Sequence, residues 1–312
     1  MTADPKTTQT ARLIAVDWGT TNFRASLLDA DGAVVDRTQA ARGILHVERD
    51  GFGTALDELL GHWLADLPEV PLLMAGMVGS ADGLREVPYL PCPASVDDIV
   101  NALVRVDDLG LGRAAYIVPG LSGRSVADNP DVMRGEEIQI LGALDDGDTP
   151  GERIVCLPGT HSKWVTLAGR QVRGFSTAMT GDAFSALRGH TLLKRFAADG
   201  GTDNAAFDRG LAQADRPGGL LHHLFSARTE VLLGDLPADR AGAYLSGLLI
   251  GDEVRAMTDA LAPAAPVTLI GNGTLNDLYA RALDARGFAT RTIDGDIAAV
   301  RGLHHLARHA AL

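Results

Sequence analysis

The chain uses one local pattern twice, and that repetition limits the folds open to it. Leu13-Ile14-Ala15-Val16 is a short apolar run that ends in Asp17-Trp18-Gly19-Thr20-Thr21-Asn22, and the residues from Phe23 lead away again. Ile154 to Leu157 runs in the same way into Pro158-Gly159-Thr160-His161-Ser162-Lys163, with Trp164 to Leu167 and Gln171 to Phe175 beyond. Each reads as a buried strand, a small polar turn rich in Gly and Thr, and an outgoing strand. Two related halves facing each other account for the repeat.

The segments between these hairpins alternate helix and strand. Phe23 to Leu28 and Ala33 to Arg37 flank Asp31-Gly32, a hairpin signal, so three antiparallel strands open the protein. Thr54 to Leu64 puts Leu56, Leu59, Leu60, Trp63 and Leu64 on one helical face, and Val70 to Met74 is a further buried strand. Helices are expected at Asp182 to Arg195, Leu220 to Leu232 and Arg240 to Ala262. A strand at Val267 to Ile270, the turn Gly271-Asn272-Gly273-Thr274, a helix to Arg286 and a last helix from Ala298 to Ala310 complete the chain. The start, Met1 to Arg12, reads as a disordered tail, and Asp145 to Gly151 as the linker.

Composition removes several function classes. A chain of 312 residues with 46% hydrophobic residues can bury a sizeable core, and a formal charge of -12 repels nucleic acid and anionic membranes. No apolar run reaches the roughly 18 residues of a membrane helix, and no signal peptide opens the chain, so a cytoplasmic location is expected. Cys92, set between Pro91 and Pro93, and Cys156 show neither metal-site spacing nor a disulfide framework and read as free thiols. The adjacent pairs His222-His223 and His304-His305 diverge on a helix and read as structural or solvent-facing.

Neither G-x-x-x-x-G-K-[ST] nor a strand-G-x-G-x-x-G-helix unit is present, so a bound nucleotide needs another cradle. The turn Gly19, Thr20, Thr21, Asn22 offers close backbone approach and hydroxyl donors, and Asp17 can hold Mg2+ directly or through water. Gly159, Thr160, His161, Ser162 and Lys163 offer the same from the second hairpin. Taken alone, the first is equally an ordinary strand-end turn, while Lys163 reads first as a solvated charge beside Trp164 and His161 is open either way. Gly271, Asn272 and Gly273 let a flat group such as adenine lie against backbone, although Gly-Asn turns are common.

In that order, these three motifs resemble the first phosphate, second phosphate and adenosine motifs of the sugar kinase, heat-shock and actin superfamily. Within it, Leu73-Met74-Ala75-Gly76-Met77-Val78-Gly79-Ser80, Met133-Arg134-Gly135-Glu136-Glu137-Ile138-Gln139 and Leu157-Pro158-Gly159-Thr160-His161-Ser162-Lys163-Trp164-Val165 resemble the 2-dehydro-3-deoxygalactonokinase family. The likeness runs from Leu13 to Arg301. It implies an α/β, two-lobed actin-like ATPase (ribonuclease H-like) fold. Each lobe would hold a mixed five-stranded sheet with flanking helices, with the active site in the interlobe cleft. The N-terminal lobe spans 1-145 and the C-terminal lobe 146-312, the last helix being free to pack on the first.

What the resemblance implies chemically is transfer of a phosphoryl group from ATP, with Mg2+, to the 6-hydroxyl of 2-dehydro-3-deoxy-D-galactonate in galactonate breakdown. The partners are then a small sugar acid and ATP, without nucleic acid or membrane, and a homodimer is left open. Such a reaction needs a carboxylate to receive the hydroxyl proton. Related carbohydrate kinases carry a Gly-Asp-Gln where this chain has Gly135-Glu136-Glu137, which makes Glu136 the first candidate, with Glu137 and Asp182 as alternatives. All three equally serve as helix N-terminal acids. The sugar-acid side is assigned to Gly76, Met77, Gly79, Ser80, Arg85 and Tyr89, with Arg24, Arg85 and Arg134 as candidates for a carboxylate-binding guanidinium. Kinases of another small sugar or sugar acid, and a non-catalytic nucleotide sensor on the same fold, are the competing readings.

Overall fold

The computed structural model describes residues 10–107, 109–113, 115–144, 151–195, 203–264 and 266–312. Residues 1–9 of the expected tail and 145–150 of the expected linker lie outside the described residues. The rest divides into two compact units. One takes the described residues up to Gly151 together with Leu167–Gly174 and Asp294–Leu312, and the other takes Glu152–Thr166 and Phe175–Ile293.

The first unit opens with the expected meander: β1 (Ala11–Trp18), β2 (Phe23–Asp29) and β3 (Val34–Ala40), each antiparallel to the one before. Its first tight turn forms because the Asp29 carboxylate accepts hydrogen bonds from the N–H groups of Asp31 and Ala33, at 3.0 and 2.9 Å. Helix α1 (Phe52–Asp66) then buries Phe52, Leu56, Leu60 and Trp63, the expected i, i+4 stripe, against Ile14, Val16 and Trp18 of β1. Full burial of each such side chain contributes about 1.5–3 kcal/mol. It ends at Leu67 because Pro68 disfavours the helical region for the residue before it.

The chain returns as β4 (Leu72–Gly76), parallel to β1. After it come β5 (Leu90–Pro91), α2 (Val96–Asn101), β6 (Val104–Val106), β7 (Ala115–Ile117), β8 (Leu121–Arg124), β9 (Pro130–Met133) and α3 (Glu136–Gly142). Ser95 and Asp98 close a reciprocal capping box at the start of α2. The main sheet runs β3-β2-β1-β4-β7-β6, and β5-β8-β9 form a small second sheet. Six strands therefore stand where five were expected. The additional strand, β6, is a three-residue segment paired antiparallel to β7, too short to carry a periodic signal.

The second unit holds most of a five-stranded sheet in the order β12-β11-β10-β13-β14. Its elements are β10 (Glu152–Leu157), β11 (Ser162–Ala168), β12 (Gln171–Ala178), α4 (Thr180–His190), α5 (Asn204–Ala214), α6 (Leu220–Leu224), α7 (Ser226–Leu232), α8 (Ala241–Leu261), β13 (Val267–Gly271), α9 (Gly273–Asp284) and β14 (Thr290–Asp294). Trp164, Phe207, Val254, Leu269 and Leu283 form its core beside the sheet. Two expected helices are shorter than the sequence suggests. Helix α4 stops at His190, because Thr191 turns extended and its hydroxyl donates to the Leu187 carbonyl while accepting from the Leu193 N–H. The stretch from Leu220 to Leu232 breaks at Phe225, where the Ser226 hydroxyl donates to the His223 carbonyl and competes with the helical ladder.

The last helix, α10 (Gly295–His309), belongs to the first unit and is capped by the Asp294 carboxylate. It lies almost backbone to backbone against α3. A Cβ at Gly142 would stand 1.8 Å from the Ala298 carbonyl oxygen, and one at Gly302 1.8 Å from that of Ile138. Among the described residues no helix is long and apolar enough to cross a membrane, and both cysteines are free thiols.

Gly142→Ala should destabilise the protein by about 2 kcal/mol or more in urea unfolding, since neither carbonyl can retreat without separating the helices. Gly189→Ala, with open space around its Cβ position, should change stability by less than about 1 kcal/mol. Equal effects at the two sites would contradict the close approach.

Candidate active site

Strand alternation decides where Asp17 points. Ile14, Val16 and Trp18 enter the core with α1, so Ala15 and Asp17 occupy the other face of β1. There they line a cavity of about 310 Å³ with Arg24 and Ser26 of β2 and Asp296 and Leu303 of α10. The register pairs Trp18 with Gly76, and at φ 90° Gly76 adopts backbone that favours glycine. A side chain there would also meet the Trp18 carbonyl at 2.9 Å and Asp17 Oδ1 at 3.2 Å. Gly135, at φ 110°, lies against Gly76, its Cβ position 3.5 Å from the Gly76 Cα. That contact draws the Gly135-Glu136 turn to the Asp17 strand end.

Burial pushes the Asp17 carboxyl up to about 6, with Arg24 opposing the shift and the charges of Asp296 and Glu136 adding to it. Arg24 stands 3.6 Å from Asp17 and 3.7 Å from Asp296. It is thus occupied by protein acids, whereas the sequence offers it to a substrate carboxylate. Asp296 belongs to this group but carries no motif, and its one sequence signal is its place in the first turn of a capped helix.

The first Gly-Thr turn is fastened from behind. Ile44, Leu45 and Gly43 donate their N–H groups to the carbonyls of Gly19, Thr20 and Thr21, and Gly19 donates to Asn22. The side chains of Thr20, Thr21 and Asn22 stay exposed, with Asn22 Nδ2 donating to Thr21 Oγ1 at 3.1 Å.

The three carboxylate candidates separate clearly. Glu136 is partly exposed, and its Oε2 accepts from the Arg134 N–H at 3.1 Å. Glu137 is fully buried, its Oε2 accepting from the Gly135 N–H at 2.7 Å while Oε1 has no hydrogen-bond partner among the described residues. Burial and the Glu136 charge push the Glu137 carboxyl up to about 8, so it holds its proton at neutral pH. Asp182 lies in the second unit, half exposed and 3.9 Å from His161 Nε2.

On the proposed sugar side, β4 leads into Met77–Gly79, a single 3-10 turn, where the Ser80 hydroxyl donates to the Met77 carbonyl at 2.7 Å. Arg134 does not reach outward. Its guanidinium lies 4.3 Å over the Tyr89 ring, donates to the Val87 carbonyl at 2.7 Å and abuts Gly79, which pins the loop that carries Arg85 and Tyr89. Both of those side chains are exposed.

In the second unit, Gly159, Thr180 and Gly181 share a cavity of about 180 Å³ with Thr274, Leu275 and Tyr279 of α9. Its remaining walls include Phe184, Phe207, Ser246 and Leu278, which the sequence reading missed because apolar helix positions look like ordinary core. The Asp182 N–H donates to the Thr160 carbonyl at 3.0 Å, fixing the start of α4 on the second turn. Thr160 and His161 are exposed, whereas Ser162 and Lys163 turn inward, 0% and 4% exposed, with Lys163 Nζ donating to the His161 carbonyl at 3.0 Å. Lys163 is thus no solvated surface charge. Gly271 precedes α9, Asn272 caps it by accepting from the Leu275 N–H, and Gly273 opens it with free space where a Cβ would be.

The family described as 2-keto-3-deoxy-galactonokinase matches residues 17–306 of this sequence. The chain belongs to this family. A Rhizobium meliloti (strain 1021) protein named as a probable 2-dehydro-3-deoxygalactonokinase is 39% identical over 300 residues, covering 94% of this chain and 96% of that one. The 2-dehydro-3-deoxygalactonokinase of Escherichia coli (strain K12) is 36% identical over 302 residues, 97% and 99% of the two chains. A crystal structure from Sinorhizobium meliloti, provisionally described as a 2-dehydro-3-deoxygalactonokinase, superposes with a TM-score of 0.83 at 39% identity, covering 95% and 98% of the chains. The chain therefore shares the fold of that solved relative, and its mixed sheets with flanking helices in two compact units agree with the α/β class expected from the motifs.

The raised Asp17 value gives a signed test in protein free of nucleotide and Mg2+. Below about pH 4 the carboxyl is neutral folded and unfolded, and as pH rises through 6 the fold bears the cost of an ionised buried acid. Asp17→Asn should therefore be more stable than the parent at pH 7.5, by about 1–3 kcal/mol, with the gain vanishing toward pH 4. A gain independent of pH in urea titrations would contradict the assignment.

Proposed function

We propose that this chain transfers the γ-phosphoryl group of ATP to the 6-hydroxyl of 2-dehydro-3-deoxy-D-galactonate. The observation that carries the reading is the convergence of Asp17, Gly76 and the Gly135-Glu136 turn in one unit of a chain from the 2-keto-3-deoxy-galactonokinase family.

The cavity beside Tyr279 suits the adenosine end of the nucleotide, being walled by Phe184, Phe207, Leu275 and Leu278, with Thr274 at the start of α9 also lining it. The exposed hydroxyls of Thr20, Thr21 and Thr160 are the groups to donate to phosphate oxygens, with Gly19 and Gly159 letting a phosphate approach the turn backbones. Asn22, His161 and Lys163 hold these turns in shape. Mg2+, when bound with ATP, neutralises phosphate charge and polarises the transferred group. Asp17 is the residue to hold it: hard oxygen donors suit this ion, which keeps most of its waters and takes one or two carboxylates. A dication there would also offset the burial that raises the Asp17 value and the lesser contributions of Asp296 and Glu136.

On the substrate side, Gly76 and Gly79 let a polyhydroxylated chain approach backbone, with Met77 and Ser80 in the same turn and Arg85 and Tyr89 on the loop that follows. Glu136 receives the proton of the attacking hydroxyl. It is partly exposed and lies close enough to Asp17 to raise its proton affinity, whereas Glu137 is shut from solvent and already protonated. Glu137 instead holds the Gly135 N–H and so sets the aim of the turn. MgATP as substrate and two free thiols suit a cytoplasmic enzyme.

In an ATP-consumption assay over keto-deoxy sugar acids and neutral hexoses, turnover should appear with 2-dehydro-3-deoxy-D-galactonate and stay at background with the hexoses. Preference for a hexose would overturn the reading. Glu136→Gln should lower kcat by roughly 100-fold or more with ATP affinity kept, while Glu137→Gln should cost less than about tenfold. The reverse ranking would move the base to Glu137.

A further inference from the structure

A buried carboxylate lies behind the nucleotide cavity that neither the motifs nor the reaction account for. Glu253, on α8, is 6% exposed. Its Oε1 accepts from Trp164 Nε1 at 2.7 Å, and its Oε2 from the Tyr279 hydroxyl at 2.6 Å. Tyr279 in turn lies 2.8 Å from Ser162 Oγ. Because Tyr279 gives its proton to Glu253, Ser162 is the donor to Tyr279, and the chain of bonds has one direction. Burial raises the Glu253 carboxyl, while hydrogen bonds from Thr180, Tyr279 and Trp164 oppose that shift.

Two of the donors, Thr180 and Tyr279, line the cavity, and the others stand on the strand that follows the second turn. Ser162 and Trp164 belong to β11, directly after the second Gly-Thr turn. Thr180 begins α4, whose Gly181 is packed on the Gly159 carbonyl, and Tyr279 is on α9 and itself lines the cavity. An indole N–H can only donate, and a hydroxyl engaged with Ser162 has one proton to give, so an acceptor-only group satisfies both neighbours at once. A packed apolar side chain would leave the indole and the phenol unpaired inside the core.

We propose that Glu253 is a positioning residue for nucleotide binding, holding β11, α4 and α9 in one arrangement so that the second phosphate turn and the adenosine cavity keep a fixed spacing. The inference rests on the reading that ATP occupies this cavity. Glu253 itself touches no substrate and acts through Tyr279, Ser162 and Thr180.

The test measures the ATP dissociation constant by calorimetry and KM for the sugar acid kinetically, in full-length protein. Glu253→Gln turns an amide N–H2 toward a donor, and Tyr279→Phe removes one donor while leaving the carboxylate to Trp164. Each should weaken ATP binding by roughly tenfold or more with the sugar-acid KM within about twofold. The double variant should be little worse than Glu253→Gln alone. If Glu253→Gln does not fold, Tyr279→Phe decides. ATP affinity within about twofold of the parent in a folded variant, or equal weakening for both substrates, would overturn the proposal. Ser246→Trp, which fills the cavity, separates the two ideas. If it leaves ATP binding unchanged, the cavity is not the nucleotide site; if it abolishes binding while the Glu253 and Tyr279 variants do not, only the positioning role fails.

Discussion

A carboxylate can sit at the end of two parallel strands only where the neighbouring backbone leaves room for it. Gly76 provides that room beside Asp17, and the rest of the first unit follows from the vacancy of a single Cβ. Gly135 in turn lies against the Gly76 Cα, which brings Glu136 into the electrostatic reach of Asp17. Close approach recurs where α10 meets α3 through Gly142 and Gly302, and α10 brings Asp296 to the group. Three acids from distant parts of the chain are thus gathered by backbone contacts, and burial first, with the Asp296 and Glu136 charges adding to it, raises the Asp17 value.

Neighbouring glutamates in this arrangement take different roles because their surroundings differ. Glu136 faces partly outward and its charge acts on Asp17, whereas Glu137 is buried, protonated at neutral pH and bonded to the Gly135 N–H. Sequence position put Glu136 first and left Glu137 open as an alternative. Burial and the hydrogen-bond partner decide between them, the same logic by which paired carboxyls divide labour elsewhere.

Where hydrophobic period and turn chemistry were strong, the sequence was legible: the β1-β2-β3 meander, the α1 stripe and the β11-β12 hairpin lie close to where alternation, helical spacing and Asp-Gly placed them. Short elements were not, since β6 has three residues and its pairing with β7 is a long-range event. Motif residues were found, but their orientation was not. Ser162 and Lys163 read as phosphate donors and turn inward, and Arg24 reads as a substrate clamp and is held between Asp17 and Asp296. The cavity walls Phe207, Ser246 and Tyr279 had no sequence signature, because a helix face that lines a pocket and one that lines a core are written with the same residues.

In the proposed reaction a terminal hydroxyl of a keto-deoxy sugar acid receives the phosphoryl group. Phosphorus NMR of the product, correlated to proton, tests this most directly. A phosphomonoester signal coupled to the two C6 protons, appearing as ADP accumulates, is the result the account predicts. Inorganic phosphate as the sole new signal, or a phosphoester coupled to a ring or internal carbon position, would contradict it.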